Sequence, residues 1–168
     1  LSVALGDMDK TGHATISVAK LLVESGATYV KTALADIDQD TALSNLRILK
    51  NSMPNRVRVI VAAYADASAL GYFNPVGLPQ LALEAGLDGV LLDTCSKDGK
   101  TLPDHSSDQF LANFVTEARQ LGLMTALAGS LSLNDMDRIF EIDPDWVGFR
   151  SALTLSGIRE KAGIDRAK

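Results

Sequence analysis

Short apolar runs and helix-period segments alternate along this chain without a break, and that alternation constrains the fold more than any other feature. Residues 1–6 read as a strand. Ile16, Ala19, Leu22 and Val23 then recur at helical spacing, with Gly26 as the stop. Residues 29–34 form a second strand, and Asp40 is the expected N-cap of a helix with Leu43, Leu46 and Leu49 on one face. Residues 57–63 form the third strand. A short helix follows, from Pro75 or Leu78 to Glu84, closed by Gly86. Residues 89–94 are the fourth strand, and Ser107 caps a helix with Phe110, Leu111, Phe114, Val115, Ala118 and Leu121 facing inward. Residues 124–128 are the fifth strand. Ser132 or Asn134 opens a helix carrying Met136, Ile139 and Phe140, and residues 146–150 are the sixth strand. The tail, 157–168, is polar and helical in pattern.

Six strands alternating with at least five helices imply parallel βαβ units in a single α/β domain. The strands are apolar on both faces, as parallel strands buried by helices should be. Two architectures fit: an open doubly wound sheet, or about six of the eight βα units of a TIM (β/α)8 barrel. A whole barrel takes roughly 250 residues, and this chain has 168. Residue 1 is Leu and enters a strand-like run at once, so upstream sequence is expected. An open barrel would expose two parallel edges and is expected to assemble with other copies of itself unless the missing piece is supplied.

Composition narrows the function classes. The chain is 46% hydrophobic with a net charge of −5, and it has no basic stripe interleaved with aromatics, so nucleic acid is not an expected partner. No apolar run approaches the roughly 20 residues that span a membrane. One cysteine, Cys95, excludes an internal disulfide and suits a reducing cytoplasm.

In either architecture the site lies at the C-terminal ends of the strands. The residues there are Asp7, Lys31, Asp66, Asp93 with Lys97, Gly129 with Ser130, and Arg150 with Ser151, too polar a set for a packing layer. Lys31 is the sharpest signal because it lies inside a strand. Desolvation there would favour the neutral, nucleophilic amine, although a lysine can also extend out at a strand end. Asp93 and Lys97 could move protons on a carbonyl substrate, or form a structural ion pair beside a solvated loop that holds Asp98 and Lys100. Gly129-Ser130 and Gly148-Phe149-Arg150-Ser151 end the last two strands. In barrels such loops commonly cradle phosphate, with glycine admitting the backbone and arginine supplying a fork.

The remaining candidates carry less. His13 reads as a loop residue, His105 as the neighbour of a helix cap, Cys95 as a small buried thiol and Trp146 as core. No His, Cys and Asp cluster stands at metal spacing, and neither a dinucleotide fingerprint nor a P-loop is present.

Three stretches carry a family resemblance: Tyr29-Val30-Lys31 with Leu34, Leu92-Asp93-Thr94 with Lys97-Asp98-Gly99-Lys100, and Ala126-Leu127-Ala128-Gly129-Ser130-Leu131. Val147-Gly148-Phe149-Arg150 and Gly157 with Arg159 extend it. The chain resembles, essentially throughout, the (5-formylfuran-3-yl)methyl phosphate synthases, the furan-forming enzymes of methanofuran biosynthesis. The resemblance implies a (β/α)8 barrel that condenses two molecules of glyceraldehyde 3-phosphate, releasing phosphate and water, with no metal or organic cofactor. It places Lys31, Asp93 and Lys97 where the family has catalytic residues. The family's imine-forming lysine, in an Asp-x-Lys pattern on an earlier strand, would lie upstream of Leu1. The chain departs from the pattern at Asp9, near a usual proline, at Ser151, where glycine is usual, and at Ile158, where aspartate is usual.

Three rival readings stay open on sequence grounds. One is another lysine-dependent aldolase on the same barrel. Another is a phosphoacceptor receiver module, whose acidic site Asp7, Asp9 and Asp93 loosely mimic. The last is a non-catalytic fragment.

Overall fold

The computed structural model describes residues 1–96 and 98–149. Its elements run β1 (Ser2–Asp7), α1 (His13–Glu24), β2 (Tyr29–Leu34), α2 (Gln39–Asn51), β3 (Arg58–Tyr64), α3 (Ala67–Leu70), α4 (Leu78–Glu84), β4 (Gly89–Asp93), α5 (Leu102–His105), α6 (Asp108–Gln120), β5 (Met124–Leu127), α7 (Met136–Ile142) and β6 (Trp146–Val147). Single 3-10 turns, Pro75–Gly77 and Leu133–Asp135, lead into α4 and α7.

The six strands form one parallel sheet in the order β1-β2-β3-β4-β5-β6, each paired with its neighbours in sequence. A doubly wound sheet reverses its strand order at a switch point. This sheet does not, so the open alternative and the receiver module that depends on it are both removed.

Strand alternation gives the sheet two unlike faces. On the outer face Val30, Leu34, Val59, Val61, Ala63, Val90, Leu92 and Leu127 are buried in one core with the helices. On the inner face alanines alternate with larger side chains: Ala33 and Ala62 are buried with Leu91, and Ile60, Tyr64, Ala126 and Ala128 pack against them.

The sheet is strongly curled toward that inner face. In a flat sheet, strands four positions apart lie roughly 19 Å from each other, yet the ring centroids of Tyr29 on β2 and Trp146 on β6 are 6.3 Å apart. Trp146 is 60% exposed, against the expectation of a core residue, because it faces the open concavity from the last described strand. Phe140 of α7 is also exposed, while Ile139 beside it is fully buried.

Local signals set the helix starts. Asp38, not the expected Asp40, caps α2, accepting hydrogen bonds from Thr41 N at 2.9 Å and Thr41 Oγ1 at 2.7 Å. Asp38 has the extended backbone that a cap needs, whereas Asp40 already stands in the first helical turn. Ser107 caps α6 as expected, accepting from Phe110 N at 3.2 Å.

At the opposite end from the candidate site, Asp88 fastens the starts of the strands. It pairs with Lys50 of α2, accepts from Arg58 Nη1 at 2.8 Å and accepts from Val59 N at 2.8 Å. Burial alone would raise its pKa, but these donors hold it below the usual carboxylate value. Replacing Asp88 with Ala strands a half-buried ammonium and a backbone N–H. The expected cost is about 2 kcal/mol, read as a lower urea midpoint at unchanged slope. A midpoint equal to that of the parent chain would show that the cluster is ornamental.

Candidate active site

Lys31 sits mid-strand in β2, in register with Ala4 of β1 and Ile60 of β3. It is half-buried and lines a concave cavity of about 220 Å³ together with Ile60, Leu91, Ala126, Ala128 and Gly148. Almost all of that lining is apolar or small. Among the described residues no carboxylate lies within ion-pair distance of its ammonium.

Asp7 and Asp93 stand above this level, at the C-terminal ends of β1 and β4. Asp93 is half-buried, and its Oδ1 accepts from Thr94 N at 2.7 Å. Asp7 is exposed, and its Oδ1 accepts from Tyr64 Oη at 2.5 Å. Tyr64 is the register partner of Asp93 on β3, so one phenol stands between the two carboxylates. Burial first, then the hydrogen bond and charge of Asp7, push its pKa well above the ordinary phenol value. Tyr64 escaped the sequence reading. The signal for it was the alternation Ile60, Ala62, Tyr64, which puts an aromatic hydroxyl on the same face as Lys31.

Asp66 follows the end of β3, at the start of α3. It is 6% exposed, and its two oxygens accept from Cys95 N at 2.9 Å and Ser96 N at 2.8 Å. It therefore fastens the chain leaving β4. Asp9 is similarly engaged, since its carboxylate accepts from Thr11 and Thr15, at the start of α1. Cys95 is half-buried rather than buried, and His13 begins α1 rather than standing in a loop.

The turn after β5 has an unusual backbone. Gly129 and Ser130 both have positive φ, 115° and 52°, and a serine in this region is uncommon. A Cβ on Gly129 would stand 3.0 Å from Thr94 N and 2.8 Å from its methyl carbon, so glycine lets the β4 and β5 ends touch. Gly129 O also accepts from Leu102 N at 2.9 Å, joining α5 to the same turn. The N–H groups of Gly129 and Ser130 have no acceptor among the described residues. Gly148 is exposed, against Ala128. Of the remaining sequence-derived candidates, Lys97, Arg150 and Ser151 lie outside the described residues.

The inner face thus gathers an amine with no carboxylate partner among the described residues, two carboxylates with a phenol between them that is bonded to Asp7, and a turn whose N–H groups have no acceptor among the described residues. Among the described residues no group of three or more His, Cys, Asp or Glu side chains could hold a metal ion. No helix among them is long and apolar enough to cross a membrane.

The family model and the curated relatives agree with one another. Residues 1–168 match the family model of 4-HFC-P synthase. The chain is 39% identical to a (5-formylfuran-3-yl)methyl phosphate synthase of Methanocaldococcus jannaschii, over 99% of this chain and 72% of that protein. It is 36% identical to the protein of that name from Methanococcus maripaludis strain C7, with the same coverage. It is also 36% identical to a protein of Streptomyces griseus named as putatively the same, over 98% of this chain and 67% of that one. The solved phosphoribosyl anthranilate isomerase of Thermus thermophilus overlaps 95% of this chain and 91% of its own at 11% identity, with a TM-score of 0.39, too low to bear on the fold. This chain belongs to the 4-HFC-P synthase family.

Proposed function

We propose that this chain forms the larger part of the site of a (5-formylfuran-3-yl)methyl phosphate synthase serving methanofuran biosynthesis. That enzyme condenses two molecules of glyceraldehyde 3-phosphate to a furan aldehyde phosphate, with loss of phosphate and water, which makes it a carbon–oxygen lyase. The observation that carries the reading is Lys31, a half-buried amine in a concave cavity with no carboxylate partner among the described residues, in a chain of this family.

In this reading one triose phosphate is held as an imine on a lysine. Lys31, Asp93 and Lys97 polarise carbonyl groups and move protons during the condensation and the eliminations. The turn at Gly129 and Ser130 offers its unengaged N–H groups to a substrate phosphate. Gly148, Arg150 and Ser151, following the last strand, complete that cradle. Aromatisation to the furan supplies the driving force. The curl of the sheet supports a closed eight-stranded barrel forming a single domain, in which two further strands stand between β6 and β1. Catalysis in the cytoplasm and assembly into homo-oligomers accompany this proposal.

Two readouts test it together. The complete enzyme given glyceraldehyde 3-phosphate should release phosphate and develop the ultraviolet absorbance of a furan aldehyde. Borohydride added during turnover should leave a covalent adduct on a lysine, visible by intact mass. A non-absorbing aldol product would make the enzyme an aldolase instead, and turnover without a trappable adduct would remove the imine.

A further inference from the structure

The contact between Asp7 and Tyr64 spans an intervening strand. Asp7 ends β1 and Tyr64 ends β3, and β2 runs between them. Strands two positions apart are separated by roughly 10 Å, so two side chains must cross that gap for the hydroxyl to reach the carboxylate at 2.5 Å. Ala33 makes the crossing possible. It is the inward residue of β2 in register with Asp7, and Tyr64 packs against the small cluster that contains it. A larger side chain at Ala33 would occupy the path of the phenol.

The location is specific. Ala33 is the next inward position above Lys31, roughly 7 Å along the strand, so the hydrogen bond lies one inward step beyond Lys31 toward the C-terminal ends of the strands. Tyr64 is buttressed from outside by Tyr72, at a ring separation of 6.2 Å. It is flanked by Asp93 in register on β4. Asp7 Oδ2 has no hydrogen-bond partner among the described residues, and the residue is exposed. One oxygen is thus tethered, and the other has no hydrogen-bond partner among the described residues.

We propose that Asp7 is a substrate-facing carboxylate of the reaction site and that Tyr64 is its positioning residue, the phenol holding the carboxylate on the inner face one step above Lys31. This rests on the function proposed above. The free oxygen accepts a hydrogen bond from a hydroxyl of the triose phosphate and so fixes the substrate's orientation relative to Lys31. Orientation of this kind acts on turnover more than on affinity. The raised pKa of the phenol keeps Tyr64 a donor throughout the neutral range.

The test uses the complete enzyme with glyceraldehyde 3-phosphate and the variants Tyr64→Phe, Asp7→Asn and their combination. Each single change should lower kcat about tenfold or more while KM moves by about twofold or less. The double variant should be no slower than Asp7→Asn alone, because the tether has no purpose without the carboxylate. Melting temperatures should stay close to that of the parent, since Phe keeps the ring packing and Asp7 is exposed. Losses that multiply in the double variant, or full kcat in Tyr64→Phe, overturn the assignment while leaving the furan synthase reading intact. If Tyr64→Phe does not fold, Asp7→Asn alone decides, and full kcat there overturns the assignment. A parent enzyme that neither forms a furan nor exchanges the substrate's carbon-bound protons with solvent deuterium overturns the function reading and this assignment together.

Discussion

Replacing Lys31 with Ala should lower kcat for furan formation by about three orders of magnitude and leave the fold unharmed. Both halves of that expectation follow from the cavity. The ammonium is half-buried in a lining that is nearly all apolar or small, and it pairs with no carboxylate among the described residues. Removing a charge that costs desolvation and makes no compensating pair leaves stability unchanged or slightly raised. Lys31→Arg should not restore turnover, because a guanidinium stays charged and cannot pass a proton. Steady-state absorbance at the furan band, with thermal melts of the same samples, reads both effects. A Lys31→Ala enzyme with near-normal kcat would remove Lys31 from the chemistry. A large fall in melting temperature would instead make it a structural residue.

The outer half of this fold was plain in the sequence, and the inner half was not. The 29–34 strand was legible to the residue, because Tyr29, Val30 and Thr32 favour a strand and Gly26 marks the end of the helix before it. The start of α6 was legible because Ser107 stands three residues before Phe110 N, which it accepts from. These are local signals with short physical range. The four-residue helices α3 and α5 were missed because segments that short carry no periodicity. Trp146 was misplaced for a different reason. A large apolar residue in a strand normally goes to the core, but here it faces a concavity whose far side holds Tyr29. The curl that creates that concavity is a property of the whole sheet. For the same reason Lys31 stood out as an ionisable group in a strand, while Tyr64 could not. Its partner Asp7 lies 57 residues away and two strands over, and only the register brings them together.

Asp66 carries the other large expectation, and its signature is a pH dependence. The residue is 6% exposed, yet burial does not raise its pKa overall. The Ser96 hydroxyl and the N–H groups of Cys95 and Ser96 outweigh the burial cost and hold it at about 2. A folded-state pKa depressed below the unfolded carboxylate value of about 3.9 contributes stability above that pH, and the contribution disappears as pH falls through about 2. The shift corresponds to about 2 kcal/mol. Asp66→Asn keeps the shape but turns an amide toward one of the two N–H donors. The variant should therefore be less stable than the parent by about 2 kcal/mol near neutrality, with the gap closing between pH 4 and pH 2. Chemical denaturation of both proteins across that range measures it. Because Asp66 fastens the segment that leaves Asp93 and leads to Lys97, the same change should also lower kcat at neutral pH. A gap that is the same at every pH would mean the carboxylate charge contributes nothing. A closing gap with unchanged kcat would mean that the segment holds its catalytic shape without the anchor, and that Thr94 packed against Gly129 is enough to set it.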